Sequence, residues 1–111
     1  MRKVLFVVFL FSLLTSCVDD SENTYKYEIT GTTANYGVTY QDVNDVVQLK
    51  GPVGDGWSYT WIQTGKRFVF ITGQNYDKVG SLTVRLYKNG KIIAEKTESG
   101  DYAVASIQGN Y

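Results

Sequence analysis

The chain has 111 residues, 43% hydrophobic and 14% aromatic, with eleven Lys or Arg against eleven Asp or Glu. That length suits one small domain, and the balanced charge leaves no electrostatic footprint for nucleic acid. With no histidine and one cysteine, Ser-His and Cys-His catalysis, the usual zinc ligand sets and an internal disulfide are all excluded.

Residues 1–16 read as an export signal. Arg2 and Lys3 precede an apolar run from Val4 to Phe11 that resumes at Leu13 and Leu14 and ends in the small residues Thr15 and Ser16. The run is about half of the ~20 apolar residues that a membrane-spanning helix needs. Leu14-Thr15-Ser16-Cys17 resembles the lipobox of bacterial lipoproteins. The resemblance implies cleavage between Ser16 and Cys17, a diacylglyceryl thioether on the Cys17 sulfur and a palmitate-type acyl group on its new amine. Two or more chains anchor a protein stably where one does not.

Removing the signal takes away two cations and no acid, so the chain from Cys17 onward carries nine positive and eleven negative side chains. No run of basic residues marks an anionic-lipid patch, so membrane attachment is expected from the lipid alone. Residues 17–24 form the lipidated cysteine and an acidic tether, with Asp19, Asp20 and Glu22. An inner-membrane retention signal would place Asp after the cysteine, where this chain has Val18. The acids that follow are similar to the tag by which some two-membrane bacteria place lipoproteins on the cell surface, and a solvated linker is an equal reading. The expected location is the outer membrane, on its periplasmic face or at the cell surface.

Residues 25–111 read as strands, with β-branched and aromatic residues alternating and Gly, Asn or Asp at the breaks. Tyr25, Tyr27 and Ile29 alternate before Gly31; Tyr36, Val38 and Tyr40 follow; Val46, Val47 and Leu49 precede Gly51-Pro52. Asp42-Val43-Asn44-Asp45 offers several oxygen ligands but lacks the Gly and distal Glu of a calcium loop, and is read as a turn. Gly51-Pro52-Val53-Gly54-Asp55-Gly56 lacks a Gly-Lys-Ser/Thr ending and precedes a strand, so it is read as a flexible loop and not a phosphate cradle. No metal or cofactor is expected.

Trp57, Tyr59 and Trp61 share one face of the next strand. A core role is favoured for them, with an exposed ligand platform as the alternative, because eleven Tyr or Trp between Tyr25 and Tyr111 exceed what a small core obviously needs. Gly65-Lys66 suits a tight hairpin into Phe68-Val69-Phe70-Ile71. Leu82, Val84 and Leu86 alternate with Thr83, Arg85 and Tyr87 up to Asn89-Gly90, whose residues tolerate the two positive φ values of a type I′ turn. Ile92, Ile93 and Ala94 return, Ser99-Gly100-Asp101 breaks the strand, and Tyr102 to Ile107 closes the domain. Seven or eight short strands at this spacing predict a small antiparallel, immunoglobulin-like β-sandwich, an all-β fold.

The run Gly80-Ser81-Leu82-Thr83-Val84-Arg85-Leu86-Tyr87-Lys88-Asn89-Gly90-Lys91, then Ala94-Glu95 and Ser99-Gly100-Asp101-Tyr102-Ala103-Val104-Ala105-Ser106, resembles the MmpS family, small membrane-linked accessory proteins of mycobacterial MmpL transporters. Tyr27-Glu28-Ile29-Thr30-Gly31, Val38-Thr39-Tyr40 and Trp57-Ser58-Tyr59-Thr60 are similar to its pattern too. The chain departs from it in carrying a lipoprotein signal in place of a transmembrane helix, in lacking the family's C-terminal cysteine pair and in the longer approach to Trp57. The resemblance implies a non-catalytic sandwich outside the membrane whose partner is a transporter or envelope protein. The alternative that the residues leave open is a surface-displayed module for a glycan or other ligand.

Overall fold

The computed structural model describes residues 21–111. The signal segment 1–16, its cleavage point at Ser16 and Cys17, the lipid site Cys17 and the first tether residues lie outside the described residues. Eight strands build two four-stranded antiparallel sheets, as the alternation predicts: β1 (Glu22–Gly31), β2 (Tyr36–Gln41), β3 (Val47–Val53), β4 (Trp57–Thr64), β5 (Phe68–Asn75), β6 (Ser81–Lys88), β7 (Lys91–Ser99) and β8 (Val104–Asn110). The first sheet has the order β4-β1-β6-β7 and the second β3-β2-β5-β8. Among the described residues no helix is long and apolar enough to cross a membrane.

β1 begins at Glu22, three residues before the alternation becomes visible at Tyr25. Glu22, Asn23 and Thr24 pair with Thr64, Gln63 and Ile62, so backbone pairing extends the strand into sequence that reads as tether. β3 likewise runs through Gly51 and Pro52 to Val53, where a flexible loop was expected. Pro52 is tolerated there because β3 is an edge strand with β2 as its single neighbour. Asp55 closes the following turn by accepting the Gly31 amide at 3.0 Å.

Among the described residues only β2–β3 and β6–β7 are hairpins; every other connection between the strands carries the chain from one sheet to the other. This overturns the expected hairpin at Gly65-Lys66. Gly65 does have positive φ, 73°, but β4 pairs with β1 whereas β5 pairs with β2 and β8. Residues 65–67 cross between the sheets, and the Arg67 amide and carbonyl both pair with Tyr111 at 3.0 Å.

The core lies between the sheets. Tyr25, Tyr27, Ile29, Leu82, Val84 and Leu86 face Tyr36, Val38, Val69, Ile71 and Ala105, all nearly or fully buried. Gly73 faces side chains of the opposite sheet. A Cβ there would fall 2.9 Å from Leu82 and 3.0 Å from Val84, so the absent side chain is a packing requirement.

In the β6–β7 turn, Asn89 and Gly90 have φ of 52° and 83°, the two positive values of the type I′ geometry. The Asn89 amide donates to the Thr24 carbonyl at 2.7 Å, its side-chain oxygen accepts the Thr24 amide at 2.9 Å, and its side-chain nitrogen donates to Asn23 at 2.8 Å. The turn is thereby stitched to the start of β1. Replacing Asn89-Gly90 by Val-Val should cost about 2–4 kcal/mol, because β-branched residues are strained at positive φ and the Asn89 bonds are lost. Thermal melts followed by circular dichroism should show a fall of roughly 10–20 °C; an unchanged midpoint would contradict the turn's role.

Candidate functional site

The aromatic residues of β4 face inward. Register places Trp57 opposite Ile29, Tyr59 opposite Tyr27 and Trp61 opposite Tyr25, on the face that β1 turns to the core. Trp61 is buried, at 6% exposure, while Trp57 and Tyr59 are half-buried at the rim. Ring centroids lie 4.6 Å apart for Tyr27 and Trp61, 4.9 Å for Tyr40 and Tyr59, 5.1 Å for Tyr40 and Trp57, and 5.5 Å for Tyr25 and Trp61. The rings spend their faces on one another, with the tilted and stacked contacts that aromatic quadrupoles prefer.

The polar edges of these rings are also satisfied. The Trp61 indole N–H donates to Gln63 Oε1 at 2.8 Å, and the buried Gln63 amide donates to the carbonyls of Gly65 (2.9 Å) and Tyr111 (3.1 Å). The Tyr27 hydroxyl donates to the Gln41 carbonyl at 3.0 Å and accepts the Phe70 amide at 3.2 Å. Burial raises its ionisation to about 12, so it stays a neutral donor at any physiological pH. Among the described residues no buried side-chain nitrogen or oxygen lacks a partner.

The Asp42–Asp45 turn uses its oxygens within the protein. The Asp42 carboxylate accepts the amides of Asn44 (2.9 Å) and Val46 (3.0 Å) and the Gln48 side chain (2.9 Å). The Arg67 guanidinium, from the β4–β5 crossing, takes the carbonyls of Val43 (2.9 Å) and Asp42 (3.2 Å) and pairs with the Asp45 carboxylate. Among the described residues no group of three or more His, Cys, Asp or Glu is placed to hold a metal ion.

The outer faces of the two sheets differ sharply. On the first, Glu28 of β1 accepts the Tyr87 hydroxyl at 2.7 Å and lies 3.4 Å from Arg85, which also pairs with Glu95. Lys26 stands 4.4 Å over the Tyr87 ring, and Thr83 and Thr97 share a 2.8 Å hydrogen bond. Charges and hydroxyls thus satisfy each other across this sheet. Hydrogen bonding to Glu28 and burial both raise the Tyr87 phenol, and hydrogen bonding to Glu95 raises Arg85.

The outer face of the second sheet carries no charged side chain. The register that turns Tyr36, Val38 and Tyr40 inward turns Thr39 and Gln41 outward, with Leu49 and Val47 opposite them on β3. β5 adds Phe68, Phe70, Thr72 and Gln74, and their partners on β8 are Asn110, Gln108, Ser106 and Val104. Leu49 is 78% exposed and Val47 60%. Tyr76, 43% exposed, lies against Gly37 and Gly51, where a Cβ would come within 2.2 Å and 2.7 Å of its hydroxyl. The face thus combines exposed aliphatic and aromatic groups with uncharged polar ones.

Trp57, Tyr59 and Trp61 therefore belong to an inner aromatic cluster, and the uncharged sheet is the surface best formed for contact. Sequence reading missed that surface, because Val47 and Leu49 look like core residues until their strand is known to be an edge. Pro52 within the same run was the available sign, since proline in a sheet is confined to edges and strand starts. The fold defines the class as small antiparallel β-sandwich domains. The chain matches no family model and none of the curated proteins.

Two measurements follow from this geometry. Trp61→Ala should cost about 3–5 kcal/mol through lost burial and a residual cavity, and Trp57→Ala distinctly less. Since small domains have only about 5–15 kcal/mol in total, urea unfolding should separate the two variants, and equal, near-zero losses would place the indoles outside the core. Secondly, the Asp42 and Asp45 carboxyls are held below the ordinary carboxylate range, Asp42 chiefly by Gln48 and Asp45 chiefly by Gln41 with Arg67. A carboxyl lowered in the folded state contributes stability above its unfolded value, lost as pH falls through the lowered one. The Asn44 and Val46 amides should stay protected near pH ~4, where a free Asp is half protonated, and open only below it; hydrogen exchange across that range reads this directly.

Proposed function

We propose that this protein is a lipoprotein, anchored to a membrane through Cys17, whose β-sandwich is a non-catalytic accessory or interaction module of a cell-envelope or transport complex. The observation that carries the reading is the uncharged outer face of the β3-β2-β5-β8 sheet, with Val47, Leu49, Phe68 and Val104 exposed on it. Apolar groups held on a rigid sheet and free of charge lose little on desolvation, which suits a protein partner. The signal, the Leu14-Thr15-Ser16-Cys17 motif and the resemblance to the MmpS family support the anchor and a transporter-type partner. An outer-membrane location, on the periplasmic face or at the cell surface, fits Val18 after the cysteine and the acids that follow it.

A second reading, a surface module for a glycan or other ligand, is favoured by one feature of the same face. Phe68 and Phe70 stand beside rows of Thr, Ser, Gln and Asn, the polar partners that sugar hydroxyls need. The mutual packing of the β4 rings supports the protein-partner reading over a platform built from Trp57, Tyr59 and Trp61.

Metabolic labelling with a fatty-acid probe should mark the wild-type protein, and Cys17→Ala should abolish the label. In the same cells, a photo-reactive residue at Ser106 should give a discrete adduct with an envelope protein. Leu49→Glu with Val104→Glu should remove that adduct while leaving the melting temperature unchanged, since exposed substitutions of this kind are usually within ±0.5 kcal/mol. An adduct indifferent to these charges would count against the face. Polysaccharide binding lost in the same variant, with no protein adduct in wild type, would move the second reading to first place.

A further inference from the structure

Two open sheets leave four edge strands, β4 and β7 in the first sheet and β3 and β8 in the second. An edge offers a row of unpaired amides and carbonyls to any other strand, and charges, proline, bulges or a covering element normally block it. β3 carries Lys50 and Pro52, and its pairing with β2 shifts register between Tyr36 and Val38. β7 carries Lys91, Glu95, Lys96 and Glu98, and its pairing with β6 shifts register between Leu86 and Tyr87. β8 is uncharged, but β7 of the other sheet lies beside it. β4 has none of these guards. Its eight residues, Trp-Ser-Tyr-Thr-Trp-Ile-Gln-Thr, include no charge and no proline, and they pair with β1 in an unbroken register from Trp57 to Thr64.

The hydrogen-bonding groups on that edge can be assigned. The Thr24 amide and carbonyl both bond to Asn89, on the β6 side of β1. Successive residues of an antiparallel strand direct these groups to opposite sides, so Asn23, Tyr25, Tyr27 and Ile29 direct theirs toward β4. The Ile29 carbonyl accordingly accepts the Gly56 amide at 2.8 Å, just before β4 begins. Gln63, Trp61 and Tyr59 answer Asn23, Tyr25 and Tyr27 across the ladder. The amides and carbonyls of Ser58, Thr60, Ile62 and Thr64 therefore point off the free edge, and among the described residues no hydrogen bond outside the ladders reaches them.

A strand added here must continue an apolar inner face and a hydroxyl-bearing outer face, bring no charge to the seam, and itself be unpaired. Of the strands this protein provides, β4 alone meets these terms. We infer that β4 pairs antiparallel with β4 of a second copy, across a two-fold axis through Thr60 that joins the two first sheets into one. Such an isologous contact is the commonest form of assembly. The register sets edge-pointing residues against edge-pointing residues and inner face against inner face. Ser58 then lies opposite Ile62 of the second copy, and Tyr59 opposite its Trp61. An axis through Trp61 would set Tyr59 against Gln63 instead and lose the aromatic cross-strand pairs that stabilise a sheet. Trp57 and Tyr59, half-buried at the rim of the core, gain cover from the second copy. The pairing uses neither a lipid nor the outer face of the second sheet, so it stands apart from the function proposed above.

The test co-expresses two full-length copies with different epitope tags, one of them carrying a photo-reactive residue at Thr60. The expected product is an adduct of twice the monomer mass bearing both tags, and none when the photo-reactive residue is at Thr97 on β7. Ser58→Lys/Ile62→Lys in both copies should abolish the adduct, since it places like charges directly opposite each other. Ser58→Glu/Ile62→Glu in both copies should do the same, whereas one copy of each variant should restore it, each Lys then facing a Glu. Ile62→Pro should also abolish it with β1 pairing intact, because the amide lost is one that faces the free edge. Thermal melts should show these exposed changes leaving the fold in place. No adduct with both tags, an adduct joining one copy to a different protein, a self-adduct that survives the like charges, or no restoration in the mixed pair would overturn the pairing.

Discussion

The Tyr27 hydroxyl is the point at which the two sheets become one structure. The β2–β5 ladder runs to Tyr40 opposite Ile71, and the next pair along, Gln41 and Phe70, meets through a side chain of the other sheet. Tyr27 donates to Gln41 and accepts from Phe70, replacing a ladder bond while its ring fills the centre of the core. Each such bond contributes only about 0.5–1.5 kcal/mol net, but leaving the Phe70 amide or the Gln41 carbonyl buried without a partner would cost about 1–3 kcal/mol. The ring contacts of Tyr40, Tyr59 and Trp61 all converge on Tyr27. Sheet spacing, aromatic packing and the start of the Asp42 turn are therefore set together.

That arrangement explains why so many aromatics are present in a domain without a disulfide. A sandwich of this size removes only a modest share of its surface from water, and large rings bury the most area per residue ordered. Gln63 extends the cluster to the Gly65 and Tyr111 carbonyls. Outside this interior, one sheet satisfies its own charges and the outer face of the other has none. Neither outer face contributes to the core, so packing does not dictate the difference between them.

Much of this architecture was legible along the chain. The alternation of Tyr25, Tyr27 and Ile29, of Tyr36, Val38 and Tyr40, and of Leu82, Val84 and Leu86 reports the inner face of each strand, because side chains alternate sides regardless of which strand lies next door. Asn89-Gly90 specified its turn because φ is a local property. The end of β1 at Gly31 and the need for Gly65 at positive φ are local in the same way.

What the chain could not state is which strands are neighbours. Gly65-Lys66 has the local chemistry of a hairpin, yet Gln63, Arg67 and Tyr111 hold it as a crossing between sheets. Val47 and Leu49 have the hydrophobicity of a core, yet their register opposite Gln41 and Thr39 turns them outward. The sequence by itself determined the strands, their inner faces, the β6–β7 turn and the lipobox-like motif, since each depends on residues close together in the chain. Tertiary structure alone decided the sheet order and the uncharged face, since both depend on pairing between residues whose separation no local pattern encodes.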